Sequence, residues 1–376
     1  MELLKTFKKT LLESSEKKSL SSLELERKIL KTQGLIENKN VYIYDIFLSS
    51  KEHIHTIEAG KFNSVPIILL HGYGVTAVSF AKMIAQLKDK FHIFAIDLPG
   101  NGNSSRPTFN KYEYEDAVDY FILKIEEWRK KLKINNFHLI GHSFGGYLAV
   151  QYVRKIPIRI KYLHLICPAG FTYKNIEKLE IGIEASHNDD NMSFKQTLFL
   201  DTVVGVLKIS PFNIIKLMNK KNYLLKCYNA EKLNLLKEET WLYTQYYMKV
   251  MNKKHSGEKA VTSLLHFGKY SKRPLANQIQ RLKIDNKLPP ISIYYGAEDW
   301  MDKDHSKKIN EDLGLGLDIQ IIPNCGHQLI FQIPVEISKR ITWAECLDFF
   351  ECEIDVKRNI QIYDIMKDTK YLPETF

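Results

Sequence analysis

Short runs of uninterrupted apolar residues recur along the chain, separated by segments of a different period. "VPIILL" (Val65–Leu70), "FHIFAI" (Phe91–Ile96), "FHLI" (Phe137–Ile140), "YLHLIC" (Tyr162–Cys167), "ISIYY" (Ile291–Tyr295) and "LDIQII" (Leu317–Ile322) share this character. Such runs are expected of strands buried on both faces. Between them Ser79–Leu87, Tyr114–Leu132 and Gly146–Lys155 read as helices. Alternation of this kind predicts an α/β fold with a parallel sheet and right-handed crossovers. Upstream, "VYIYDIFLSSKEHIHTIEAG" alternates and turns, which predicts an antiparallel hairpin.

The alternation stops after Ala169 and resumes at Pro290. The stretch between is helix-like and Lys-rich, with Trp241, Tyr243, Tyr246 and Tyr247 among its aromatics, and it predicts an inserted lid. Five segments follow: a polar, helix-prone arm (1–40), the first part of the core (41–170), a basic helical cap (171–288), the second part of the core (289–352) and a tail (353–376).

Length agrees with an insertion, because 376 residues exceed the roughly 250–300 at which a single hydrophobic core stops growing. Hydrophobic residues at 44% exclude wholesale disorder, and no repeat period appears. The five cysteines are odd in number and none has C-x-x-C spacing, so they read as reduced thiols of an intracellular protein that is not secreted. The first residues lack the apolar run of a secretory signal, and Glu2, Glu13 and Glu16 count against a mitochondrial transit peptide without excluding one. The most apolar stretch, "TLFLDTVVGVLKISPFNIIKLM", is broken by Asp201, Lys208, Pro211 and Lys216, so no membrane span is expected. Residues 171–284 hold 19 Lys/Arg against 10 Asp/Glu, a surplus of 9 out of the chain's +10. That segment would attract an anionic surface or be an ordinary solvated face; it contains no recognised nucleic-acid module.

Gly141-His142-Ser143-Phe144-Gly145 is G-x-S-x-G with a strand before it and a helix after it, the context a nucleophile elbow needs. Ser143 is therefore the candidate nucleophile, and the helix that follows points its positive end toward it. The loop His71-Gly72-Tyr73-Gly74 follows the strand Val65–Leu70, so the N–H groups of Tyr73 and Phe144 are the candidate oxyanion donors. A base must take the serine proton. Of twelve histidines, His327 in "IIPNCGHQLI" lies just past the last strand, where this order of residues requires it, with His305 as its rival. His71 and His142 would stand beside the serine. The acid should come from "GAEDWMD", with Asp299 favoured by its offset from Gly296 and Asp302 as the alternative. In "AIDLPGNGNSSRP" the Gly-x-Gly lacks a third glycine and an immediate helix, so Asp97 reads as a turn-maker and not as part of a nucleotide site.

Taken together, "LLHGYG", "IDLPGNGNSSRP", "EEWRKKLKINNFHLIGHSFGGYLA", "GEKAVTSLLHFGKYSKRPL" and "GAEDWMD" resemble the α/β-hydrolase superfamily. More narrowly they resemble its branch of abhydrolase-domain lysophospholipases, cardiolipin-type deacylases and lipid-droplet lipase coactivators, over about Val41 to Phe350. The resemblance implies an eight-stranded, mostly parallel sheet with a helical cap, and a triad of Ser143, Asp299 or Asp302, and His327. It implies a serine hydrolase acting on an acyl ester of a phospholipid or lysophospholipid, without cofactor or metal. Peripheral contact with an anionic membrane or lipid-droplet surface is expected, with Lys272 and Arg273 of "SKRPL" as phosphate contacts. Two alternatives stand: a lysophosphatidic acid acyltransferase, and a non-catalytic lipase coactivator. Relatives that lost hydrolase activity replaced the elbow serine, which this chain keeps. Members carry His-x-x-x-x-Asp, linked to acyl transfer, where this chain has Gln332 five positions after His327.

Overall fold

A computed structural model describes residues 20–111, 113–172, 234–254, 256–266 and 270–353. The first part of the arm, residues 173–233 of the expected cap with Cys227, and the tail from residue 354 lie outside the described residues.

The strands are β1 (Val41–Phe47), β2 (His53–Ala59), β3 (Pro66–Leu70), β4 (His92–Ile96), β5 (Phe137–His142), β6 (Ile160–Ile166), β7 (Leu265–His266), β8 (Tyr270–Ser271), β9 (Ile291–Gly296) and β10 (Asp318–Ile322). Eight of them form one sheet in the order β1-β2-β4-β3-β5-β6-β9-β10. β1 pairs antiparallel with β2, and β2 antiparallel with β4; every other neighbouring pair is parallel. The hairpin and all six expected apolar strands are present, five inside the sheet and β10 at its edge. β7 and β8 make a separate two-stranded ribbon.

The helices are α1 (Ser22–Thr32), α2 (Ala81–Leu87), α3 (Tyr114–Lys131), α4 (Phe144–Lys155), α5 (Lys237–Met251), α6 (Gly257–Leu264), α7 (Leu275–Ile284), α8 (Lys303–Asp312), α9 (Leu329–Gln332) and α10 (Pro334–Glu353). α3 carries Glu115 and Asp116 in its first turn and Arg129, Lys130 and Lys131 in its last, which complements its dipole. One apolar cluster beneath α3, α4, α6 and α7 includes Phe121, Trp128, Leu139 and Leu165. The other, on the opposite face, includes Ile67, Leu69, Ile84 and Ile140. Both faces of the inner strands are thus covered, which is why their sequences are apolar throughout rather than alternating.

The described part of the arm packs against the core. α1 begins with a reciprocal cap between Ser21 and Glu24 and buries Leu25, Ile29 and Leu30. It also buries Glu26, whose carboxylate reaches His55 Nε2 at 2.9 Å while Asp45 bonds Nδ1 at 2.7 Å. Burial alone would lower the pKa of His55, but the two carboxylates outweigh it and raise it well above its ordinary value. The described part of the 171–288 segment is locked to the loop after β4. Arg106 bonds Lys254 O and Glu258, each at 2.9 Å, and Lys253 Nζ reaches Asn103 Oδ1 at 2.8 Å.

Candidate functional site

β5 ends at His142 and α4 starts at Phe144, so Ser143 alone makes the turn, with φ 54° and ψ −115°. A side-chain-bearing residue held there stores on the order of 1–3 kcal/mol of strain. Its backbone is pinned from both sides: Ser143 N donates to Ile166 O at 2.9 Å, and Ser143 O accepts from Ala169 N at 3.0 Å. Close packing explains the flanking glycine. A Cβ on Gly145 would lie 2.0 Å from Leu70 O.

His327 follows β10, and its Nε2 is 3.0 Å from Ser143 Oγ. Its Nδ1 is 2.9 Å from Asp299 Oδ1, which also accepts from Met301 N at 2.9 Å. The three expected side chains therefore meet in one hydrogen-bonded line at the C-terminal rim of the sheet, with Ser143 and Asp299 both buried. Burial opposes ionisation of Asp299, but His327, the Cys167 thiol and the N–H of Met301 hold its carboxyl below the usual range. Gly296 lets the two loops approach each other, since a Cβ there would lie 2.4 Å from both Cys325 O and Gly326 O.

The alternative acid is elsewhere. Asp302 caps α8, accepting from His305 N at 3.4 Å, and it makes no bond to His327. His305, the rival base, stands 3.6 Å from that same carboxylate and not at the serine. Lys272 and Arg273 lie at the surface, away from this line of side chains. The Arg273 guanidinium bonds Glu115 at 2.7 Å, sharing that carboxylate with Arg154 and Lys155, and lies over the Tyr114 ring, while Lys272 is exposed.

The glycine loop is held against the serine. Its Gly72 is packed so that an added Cβ would come within 3.1 Å of Ser143 Cβ, which puts Tyr73 next in line. His71 fixes the loop by donating from Nδ1 to Gly72 O at 2.8 Å and accepting from Leu98 N at 2.9 Å. Phe144 is the first residue of α4, so its N–H has no acceptor within the helix. Asp97 accepts from Asn103 N of its own loop at 2.6 Å and from Ala77 N of the segment after β3 at 2.8 Å, and so holds the two together.

Three contacts escape sequence reasoning. His142 Nε2 donates to the backbone carbonyl of His327 at 2.9 Å, tying the elbow to the histidine loop. Gln332 Oε1 accepts from Gly326 N at 2.9 Å and steadies the same loop. Trp300, half exposed, lays its ring 4.8 Å from that of His327. Its place between Asp299 and Asp302 in "EDWMD" is the only signal for it. Behind the acid stands Cys167; donor atoms of Cys167, Asp299 and His327 lie within 4.8 Å of one another.

Burial lowers the pKa of His71, His142 and His164, that of His142 to about 3. In the unfolded chain each returns to about 6.5, so below that pH the unfolded state binds more protons and stability falls with pH. His142 alone accounts for roughly 1–2 kcal/mol between pH 6.5 and pH 5. His55 offsets only a small part of this, because its raised pKa already gives most of its contribution at pH 6.5 and gains about 0.4 kcal/mol below it. The urea midpoint is therefore expected to be lower at pH 5 than at pH 6.5. An unchanged midpoint would mean that these imidazoles are not buried in neutral form.

The chain belongs to the alpha/beta hydrolase fold family, which it matches over residues 65–333. It is 28% identical to a 1-acylglycerol-3-phosphate O-acyltransferase of Arabidopsis thaliana, over 82% of this chain and 70% of that protein. It is 27% identical to a (lyso)-N-acylphosphatidylethanolamine lipase of Mus musculus, over 77% of this chain and 81% of the other. Among solved structures, a bacterial membrane phospholipase A aligns with a TM-score of 0.56 and 19% identity, covering 85% of this chain and 87% of that one. A naproxen esterase of Bacillus subtilis gives 0.56 and 15%, covering 86% and 99%. Among the described residues no helix is long and apolar enough to cross a membrane.

Proposed function

We propose that the chain is a serine hydrolase that removes an acyl chain from a phospholipid or lysophospholipid. The observation that carries this reading is the line Ser143 Oγ–His327–Asp299. Ser143 Oγ attacks the ester carbonyl while its proton passes to His327 Nε2, and the N–H groups of Tyr73 and Phe144 receive the charge on the carbonyl oxygen. Asp299 stabilises the imidazolium without taking its proton. His327 returns the proton to the leaving alcohol, and water then repeats the sequence to release the fatty acid. No metal or cofactor takes part in these steps. A lipid substrate is favoured by the lipid-directed activities that the relatives' names describe.

A fluorophosphonate probe is expected to label Ser143, and turnover over a panel of phospholipids and lysophospholipids should give free fatty acid. If folded protein is not labelled, the coactivator reading takes its place. Acyl transfer is the second reading, favoured by the name of the Arabidopsis relative. Against it, position 332 offers an amide oxygen already occupied by Gly326 N–H, where the transfer pattern has a carboxylate. With lysophosphatidic acid and labelled acyl-CoA, fatty acid should exceed phosphatidic acid; the reverse would replace hydrolysis by transfer.

The basic surplus of residues 171–284 would bring the enzyme to its substrate. Near an anionic bilayer each Lys or Arg contributes about 1 kcal/mol, an attraction that salt screens. Binding to phosphatidylserine vesicles is expected to weaken steeply as ionic strength rises. Binding indifferent to salt would remove the electrostatic docking role.

A further inference from the structure

Asp299 has one carboxylate oxygen that the triad does not use. Oδ1 accepts from both His327 Nδ1 and Met301 N, whereas Oδ2 is buried with no N–H or O–H donor. The thiol of Cys167 lies within 4.8 Å of a carboxylate oxygen of Asp299. Cys167 directly follows β6 and is wholly buried, with φ 47° and its N–H bound to Tyr294 O at 2.7 Å. A side-chain-bearing residue in the left-handed region is uncommon and costs energy, so a cysteine held there behind a catalytic acid calls for an explanation.

We propose that Cys167, Asp299 and His327 form an inhibitory site for a thiophilic divalent cation such as Zn²⁺. A tetrahedral ion with bonds of about 2.0–2.3 Å sets its donors roughly 3.3–3.8 Å apart. The three donors already lie within 4.8 Å of one another, so movements of about an ångström close the set. Thiolate, imidazole and carboxylate suit Zn²⁺ or Cd²⁺, and the thiolate disfavours Mg²⁺.

The chemistry is ligand exchange without oxidation or reduction. Sγ gives its proton to solvent and binds the ion, Asp299 Oδ2 binds it directly, and the imidazole binds through Nδ1. The proton on Nδ1 moves to Nε2, so one proton is released for each ion bound. His327 Nε2 then carries a hydrogen and cannot accept the proton of Ser143. The ion thus inhibits by trapping the wrong tautomer, while the reaction path itself needs no metal. Entry is from the imidazole side, where the His327 side chain is 9% exposed.

Inhibition rests on the proposed hydrolase reading, but binding does not, and the test separates them. In the Ser143→Ala protein, which keeps all three ligands, Cd²⁺ is titrated while the ultraviolet cadmium–thiolate band is recorded. One tight site, displaced by Zn²⁺ and untouched by Mg²⁺, is expected. Adding Cys167→Ser, or independently His327→Gln, should weaken it by about tenfold or more, since even outer partners of metal ligands are worth that much. Retention of the tight site in both variants would overturn the proposal. In the wild-type protein Zn²⁺ should slow fluorophosphonate labelling, with full recovery on adding EDTA. Cys167→Ser, normalised to its own metal-free rate, should resist Zn²⁺. Equal sensitivity of the two proteins would also overturn it. If the wild type shows neither labelling nor turnover, the hydrolase reading fails and the cadmium titration still decides the metal site.

Discussion

Ser143→Ala is expected to lower ester turnover by ~10⁴-fold or more, because triad members act as a unit and removing one forfeits most of their joint effect. The loss corresponds to about 5 kcal/mol of transition-state stabilisation. Alanine keeps the Cβ, and the main-chain bonds to Ile166 and Ala169 do not involve the hydroxyl, so folding should be preserved. Turnover by the purified variant with a thermal unfolding curve matching wild type is the measurement. A folded variant that retains more than a tenth of wild-type activity would show that another group does the chemistry.

Asp299→Asn and Asp302→Asn should differ as sharply as any two neighbouring substitutions in the chain. Asn at 299 would offer an amide N–H to His327 Nδ1 and favour the tautomer whose Nε2 already bears a hydrogen. In serine-protease triads the same exchange costs ~10⁴-fold. Asp302 instead caps α8, and asparagine is an equally good cap, so that variant should keep its activity and change stability by less than about 0.5 kcal/mol. Parallel kcat/KM measurements with one ester substrate test the pair. Equal losses would mean that the acid is not Asp299.

Much of the fold is legible in the sequence because the inner strands are covered on both faces, which turns them into apolar runs no surface strand would show. Ser143, Asp299 and His327 can be nominated because strand ends fix where loops begin, and the loops sit at one rim. Distances across those loops are another matter. "GAEDWMD" presents three carboxylates within a few residues, and only the turn from Gly296 to Asp299 decides which one faces the imidazole. The docking of α1 is also obscure, because Glu26 looks like a solvent residue until His55 and Asp45 are set around it. His142 illustrates the same limit. Its partner is a main-chain carbonyl 185 positions away, which carries no side-chain identity to read.

Gly296 has a consequence for redesign. With main-chain oxygens of the neighbouring loop filling the space a side chain would need, the two segments that carry the acid and the base are not independent modules. Grafting either one from a homologue without its counterpart would leave both reactive groups present but out of step. An engineer seeking a new substrate range must therefore exchange 296–302 and 323–332 together or leave both alone.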